Sequence, residues 1–263
     1  MSGLGVRHVL DVDDLSAVEI RRVLDDAARW KEPGASVPQL LGGGSVAAIY
    51  EKPSARTRVS FEVAVASLGG HPVTLQREEV GMGTRESAAD VARTLSRYCS
   101  LIAARVHDHG TLVEMARVAS VPIVNLLSDR SHPCQALADM LTIREVLGGT
   151  EGRRLAFVGD GNNVARSLAV AAALTGLECT VASPPGYELD DVTVDRVRNL
   201  GGVVELVGDP YEAVGGADVV YTDVWTSMGQ EAEAAARRAA FEPFRVTTGL
   251  MEAAGPDAIF LHC

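Results

Sequence analysis

Short apolar runs alternate along this chain with longer stretches of helical periodicity. Residues 45–50 (SVAAIY), 71–76, 101–106, 121–127, 154–160, 178–184, 203–208, 217–224 and 258–263 read as strands. Between them, 16–30, 54–68, 87–98, 111–119, 133–147, 162–176, 191–200 and 231–240 read as helices, with a helical turn beginning at 211–214. Ser16 and Glu19 have capping-box spacing at the first helix start. Phe61, Val65 and Leu68 share one helix face, and Gly69-Gly70 ends that helix.

Strands separated by helices imply parallel sheets covered by helices on both faces, an α/β fold class. One parallel-sheet domain accounts for residues 1–133 and a second for 150–263, joined by a bridging helix over 134–149. Ligands of such sheets bind beyond the carboxyl ends of the strands. The polar motifs of this chain fall there, directly after strands. The last strand, 258–263, has no helix after it, so the second domain is expected to be C-terminally incomplete.

Charge narrows the partners. With 24 basic and 35 acidic side chains the formal net charge is −11. No nucleic acid and no anionic membrane is expected as a partner. A small anion remains admissible, because a pocket can be locally positive where arginines gather. The N-terminus lacks an apolar secretory region, and the apolar helix around 168–177 is too short to cross a bilayer. Cys99, Cys134, Cys179 and Cys263 form no CxxC pair and have no histidine at zinc-ligand spacing. These features give a cytoplasmic, reduced protein with neither metal nor organic cofactor.

The first strand runs into Glu51-Lys-Pro-Ser-Ala-Arg-Thr-Arg58. Ser54 can cap the following helix, whose N-terminus offers unpaired N–H groups and the positive dipole end. Ser54 and Thr57 add hydroxyls, and Arg56 and Arg58 forked donors suited to phosphate. An ordinary capped helix with solvated arginines fits this stretch equally well. Arg105 ends another strand. His132 and Gln135 stand three apart at the start of the bridging helix, on one face, either side of Pro133. Together these groups make an electropositive set for a small phosphorylated carbonyl compound, able to stabilise a developing oxyanion.

In the second half, Gly159-Asp-Gly-Asn-Asn163 follows a strand but lacks the third glycine of a dinucleotide fingerprint. Asn162 and Asn163 suit an amino-acid carboxylate or amine. Asp223 ends a strand and can pair with an ammonium group. Ser227 and the backbone near Met228 can hold an α-amino or carboxylate group, although Met228 reads as well as core filler. His262 and Cys263 close the last strand.

In this order the motifs resemble the aspartate/ornithine transcarbamoylase family. They are EKPSARTRVSFE at 51–62, GMGTRES at 81–87, HPCQALAD at 132–139, GDGNN at 159–163, DVWTSMG at 223–229 and FLHC at 260–263. The DVWTSMG and HPCQ segments are similar to the ornithine branch. The polar loop carries Thr84 and Arg85 in place of the lysine usual in the aspartate branch. The resemblance implies that Ser54, Ala55, Arg56, Thr57, Arg58, Arg105, His132 and Gln135 bind carbamoyl phosphate. Asn163, Asp223, Ser227 and Met228 would take ornithine, and Arg105, His132, Asp223 and Cys263 would act in catalysis. It also implies a homotrimer in which the loop near Arg85 reaches a neighbour's site. Ala55 stands where the family commonly has Thr; a backbone N–H can fill that role.

The implied reaction is carbamoyl transfer to the side-chain amine of L-ornithine, giving L-citrulline and phosphate. The resembling family continues past the HC dipeptide with an arginine-containing loop and a helix. From that difference the 263-residue form is expected to bind carbamoyl phosphate but turn over weakly. Three alternatives stay open: another amine acceptor such as N-acetylornithine or putrescine, a truncated non-catalytic paralogue, and a NAD-dependent dehydrogenase suggested by the 159–163 turn alone.

Overall fold

The computed structural model describes residues 8–226 and 231–263. The chain divides into two compact units, Met1–Cys134 and Gln135–Cys263. In the first, α1 (Ala17–Lys31) precedes β1 (Ser45–Tyr50), α2 (Ala55–Ser67), β2 (His71–Gln76), α3 (Arg77–Val80) and α4 (Ala88–Leu95). Then follow β3 (Cys99–Arg105), α5 (His109–Val118) and β4 (Ile123–Leu127). Helix α6 (Pro133–Leu147) begins at the boundary and links the two units, as expected of the bridging helix. The second unit continues with β5 (Arg154–Val158), α7 (Asn163–Thr175), β6 (Glu178–Ala182), α8 (Asp191–Asn199), β7 (Val204–Val207) and α9 (Pro210–Val214). It closes with β8 (Val219–Thr222), α10 (Ala234–Phe241), α11 (Thr248–Ala254) and β9 (Ile259–His262).

Each unit holds one all-parallel sheet flanked by helices. The first has strand order β2-β1-β3-β4 and the second β7-β6-β5-β8-β9. Side-chain alternation explains the double coverage. Ala47, Ile49, Ile102, Ala104 and Ile123 face α4 and α5 through Val91, Leu112 and Met115. Their neighbours Ala48, Tyr50, Ala103 and Leu126 pack with Phe61 of α2. In the second sheet Ala156, Val158 and Val220 pack with Ala213, Val214 and Leu250 of α9 and α11.

Local chemistry sets the helix starts. Ser16 and Glu19 form the expected capping box, with Ser16 N donating to Glu19 Oε2 at 2.9 Å. Several boundaries differ from the sequence expectation. The strand read as 154–160 stops at Val158, because Gly159 takes φ +149°. The helix read to 98 stops at Leu95, where the Ser96 hydroxyl bonds back to the Ala92 carbonyl. Helices α3 and α11 escaped the reading, being too short to show a period.

Both strand orders contain a point where the chain reverses its direction of growth across the sheet. In the first sheet it lies between β1 and β3, and in the second between β5 and β8. Connections leave in opposite directions there, opening a crevice at the carboxyl edge.

Candidate active site

At the first crevice, β1 and β3 run in register with Tyr50 opposite Arg105. The segments leaving them are tied together: Glu51 N donates to Arg105 O at 2.9 Å and His107 N to Glu51 Oε2 at 2.8 Å. Ser54 caps α2. Its hydroxyl accepts from Thr57 N at 3.4 Å and donates to Thr57 Oγ1 at 2.9 Å. Arg105 Nη1 reaches the same Thr57 Oγ1 at 3.4 Å. The structure thus gathers Ser54, Thr57 and Arg105, from two adjacent strands and a helix N-terminus. Ala55 and Arg56 occupy the exposed first turn of that helix.

Arg58 is placed differently. Its Nε pairs with Glu62 one turn on at 2.9 Å, and Glu62 also accepts from Thr74 Oγ1 at 2.5 Å. Hydrogen bonds from Thr74 and then Arg58 hold the Glu62 carboxyl below its ordinary range. A second cation went unnoticed in the sequence. Lys52 is half-buried, and burial followed by repulsion from Arg105 lowers its pKa. Tyr50 lies buried at the end of β1, its phenol pushed up to about 12, chiefly by burial.

His132 leaves a loop that follows β4, the strand beside β3. Asn125 clamps that loop, donating from Nδ2 to Ser131 O at 3.2 Å and to Leu10 O at 2.8 Å. Ser128 Oγ accepts from Ser131 N at 3.2 Å and meets His109 Nδ1 at 2.8 Å, while His109 Nε2 lies 3.8 Å from Asp11 Oδ2. The order Ser128, His109, Asp11 imitates a nucleophile–base–acid triad. Ser128, however, is 0% exposed, so no substrate carbonyl can reach it. These residues shape the loop that ends in His132.

Gln135 opens α6 in the second unit. Its Nε2 donates to Asp139 Oδ1 at 2.9 Å, and the other oxygen of Asp139 accepts from Tyr221 OH at 2.9 Å. Burial pushes the Asp139 carboxyl up to about 6, against the lowering effect of those two donors.

At the second crevice, parallel pairing sets Thr222 opposite His262. The next residues, Asp223 and Cys263, are therefore side by side, and Cys263 Sγ donates to Asp223 Oδ1 at 3.0 Å. Burial first, then the Asp223 carboxylate, raises the thiol well above its ordinary range, so it stands protonated as a donor. That protonation weighs against a thiolate nucleophile. Asn162 Nδ2 holds Asp223 Oδ2 at 2.8 Å, while its Oδ1 caps α7 by accepting from Val164 N and Ala165 N. Asn163 is the first residue of that helix, half-buried. Ser227 and Met228 lie outside the described residues.

The strand pairing also produces a cluster that spacing did not reveal. Possible ligand atoms of Asp223, His262 and Cys263 lie within 4.8 Å of one another, which corrects the expectation that no metal-ligand set comes together. In its present state the thiol proton satisfies the Asp223 carboxylate. The glycine turn before α7 has a packing role. A Cβ on Gly161 would lie 2.5 Å from backbone atoms of Glu188 and Leu189, so this glycine is required for close approach between loops.

Fold and site together define a two-sheet α/β protein: arginine, hydroxyls and a helix N-terminus meet at one switch point, a carboxylate held by amide and thiol at the other. A family model for the carbamoyl-phosphate-binding domain of aspartate/ornithine carbamoyltransferases matches residues 7–145, and one for their Asp/Orn-binding domain matches 151–263. The chain belongs to the aspartate/ornithine carbamoyltransferase family. It is 54% identical to the ornithine carbamoyltransferase of Acidothermus cellulolyticus, over 98% of this chain and 84% of that protein. The solved ornithine carbamoyltransferase of Pyrococcus furiosus matches with a TM-score of 0.94 at 47% identity, covering 100% of this chain and 86% of the other. That of Thermus thermophilus matches with a TM-score of 0.88 at 44% identity, covering 97% and 84%.

Proposed function

We propose that this chain transfers the carbamoyl group of carbamoyl phosphate to the side-chain amine of L-ornithine, giving L-citrulline and phosphate. The observation that carries the reading is the pairing of family membership with the Asp223–Cys263–Asn162 arrangement, which presents a carboxylate where an amine must be held. Ser54, Ala55, Arg56, Thr57, Arg105, His132 and Gln135 bind carbamoyl phosphate; Asn163, Asp223, Ser227 and Met228 bind ornithine. Arg58 joins the anion site only by exchanging Glu62 for phosphate.

The uncharged amine of ornithine adds to the carbonyl carbon, oriented by Asp223. Arg105 and His132 donate to the tetrahedral oxyanion. Its collapse breaks the bond to the phosphate oxygen, and the amine proton leaves with the phosphate or through Asp223. Cys263 keeps its proton and acts by holding Asp223. The proposal extends to a homotrimer in the cytoplasm. No helix among the described residues is long and apolar enough to cross a membrane, and the net charge of −11 disfavours nucleic acid.

Acceptor choice tests this reading. The Asp223 carboxylate attracts an ammonium-bearing side chain and repels that of aspartate. Citrulline formation from ornithine is expected to exceed carbamoyl-aspartate formation by about 100-fold or more in kcat/KM, since like charges in a site cost several kcal/mol. N-acetylornithine and putrescine, assayed beside them, test recognition of the α-amino and carboxylate groups. Comparable turnover with aspartate sinks the proposal.

Arg56 provides a separate test of the anion site. Arg56→Ala removes a charge-assisted hydrogen bond, so affinity for carbamoyl phosphate is expected to fall roughly 10- to 100-fold with the fold intact. Calorimetric titration measures this directly, and an unchanged affinity removes Arg56 from the site.

A further inference from the structure

We propose that Asp139 is a positioning residue for recognition of the carbamoyl nitrogen, fixing which end of the Gln135 amide is presented to the ligand. The inference rests on the reading of Gln135 as a carbamoyl-phosphate ligand. The two ends of a glutamine amide are nearly identical in shape but opposite in hydrogen bonding, and the terminal torsion turns readily. Neighbouring groups therefore decide the orientation. Gln135 and Asp139 are one turn apart on α6, and Nε2 donates to Asp139 Oδ1 at 2.9 Å. An ionised carboxylate only accepts, so it rejects the flipped amide, in which Oε1 would face it.

Asp139 itself cannot readily turn away. It is 6% exposed, and its second oxygen accepts from the hydroxyl of Tyr221, which is fully buried in β8. The result is a fixed direction: Tyr221 OH and Gln135 Nε2 both donate to the Asp139 carboxylate, which turns the Gln135 carbonyl away from it.

That direction matters because carbamoyl phosphate needs both kinds of partner. Its phosphate and carbonyl oxygens need donors. Its NH2 group needs acceptors, and arginine offers none. A Gln135 held with Oε1 outward supplies one. It would therefore separate carbamoyl phosphate from acetyl phosphate, where a methyl group replaces NH2. A site built to bond a polar group rejects an analogue lacking it, because its own polar atom is left unpaired.

The test uses Asp139→Asn in the full chain, with carbamoyl phosphate and acetyl phosphate as probes. The amide introduced by D139N can turn its NH2 to Gln135, which then flips and presents its own NH2 to the ligand. Carbamoyl-phosphate affinity is expected to fall about tenfold, with acetyl phosphate changing less than about twofold, so the discrimination collapses. The double variant Q135E/D139N should restore it. There the carboxylate introduced on the first turn accepts from the introduced amide and offers its other oxygen to the carbamoyl nitrogen. Tyr221→Phe, which keeps the ring and frees one side of Asp139, should move the ratio the same way by a smaller factor; this measurement stands if D139N folds poorly. Equal weakening of both ligands would mean a merely structural role and overturns the proposal, as does unchanged discrimination in D139N and Y221F. Gln135→Ala separates the two levels. If Q135A leaves carbamoyl-phosphate affinity unchanged, the assignment of Gln135 fails and the inference with it. If Q135A weakens binding while D139N does not, only the inference fails.

Discussion

Arg105→Ala is expected to lower kcat for carbamoyl transfer by about 100- to 1000-fold, the loss that follows removal of one oxyanion donor from a water-poor site. The position of Arg105 is the reason for so large an effect. It ends β3 at the switch point, opposite Tyr50 of β1, and its Nη1 reaches Thr57 Oγ1 at 3.4 Å in the first turn of α2. Its guanidinium is half-buried, where a charge acts through a lower effective dielectric than on the exposed Arg56. Arg56 can hold only the phosphate. Arg105 can donate to phosphate and to the oxygen that gains charge during attack. Loss of Arg56 should therefore appear mainly in binding, and loss of Arg105 in both binding and turnover. Arg105→Lys, which keeps the charge but loses the fork, should recover part of the rate. Steady-state kinetics with carbamoyl phosphate varied at saturating ornithine decide the matter. A raised KM with unchanged kcat in R105A would confine Arg105 to phosphate binding.

The second large effect concerns stability. Arg237 of α10 is 4% exposed. Its guanidinium forms an ion pair with Asp160, donates from Nε to Trp225 O at 2.5 Å, and lies 4.8 Å and 5.3 Å from the ring centres of Tyr187 and Phe241. Four segments meet on this one side chain: the turn after β5, the loop after β6, the segment after β8, and α10 itself. Burial raises the Asp160 carboxyl, and Arg237 offsets part of that rise. Removing the cation alone leaves a buried carboxylate without its partner. Arg237→Met is expected to destabilise the second unit by about 3–5 kcal/mol. At a few degrees per kcal/mol, that lowers the Tm by roughly 10 °C. The double variant R237M/D160N, in which neither charge remains, should recover most of the loss. Thermal unfolding followed by circular dichroism tests both. An R237M protein as stable as wild type would show that the pair contributes nothing.

The two predictions fall on opposite sides of what a sequence can reveal. Arg105 was visible because a strand of apolar residues ends on it, and strand ends are where α/β sheets place their ligands. Arg237 was not. It sits in an Ala-, Arg- and Glu-rich helix that reads as a solvated surface, and nothing in its spacing signals a buried cation. Tyr187, Trp225 and Asp160 close around it only after three distant segments pack onto α10. Asp139 is similar: its buried partner Tyr221 lies far away in sequence, on β8.

What the sequence determined by itself was the alternation of strand and helix, the parallel arrangement that follows, and the Ser54 cap on the helix after the first strand. Those depend on local periodicity and on capping within one turn, which a linear reading contains. The ordered motifs also pointed to the family that the comparisons then established. Tertiary structure decided which long-range neighbours the motifs meet. Strand order placed β3 beside β1, bringing Arg105 to Thr57, and the register of β8 with β9 placed Cys263 against Asp223. It turned Arg58 toward Glu62 and joined Asn162 to Asp223. The physical reason is common to these cases. A side chain's partner and charge state depend on burial and on groups tens of residues away, and only packing brings those groups together.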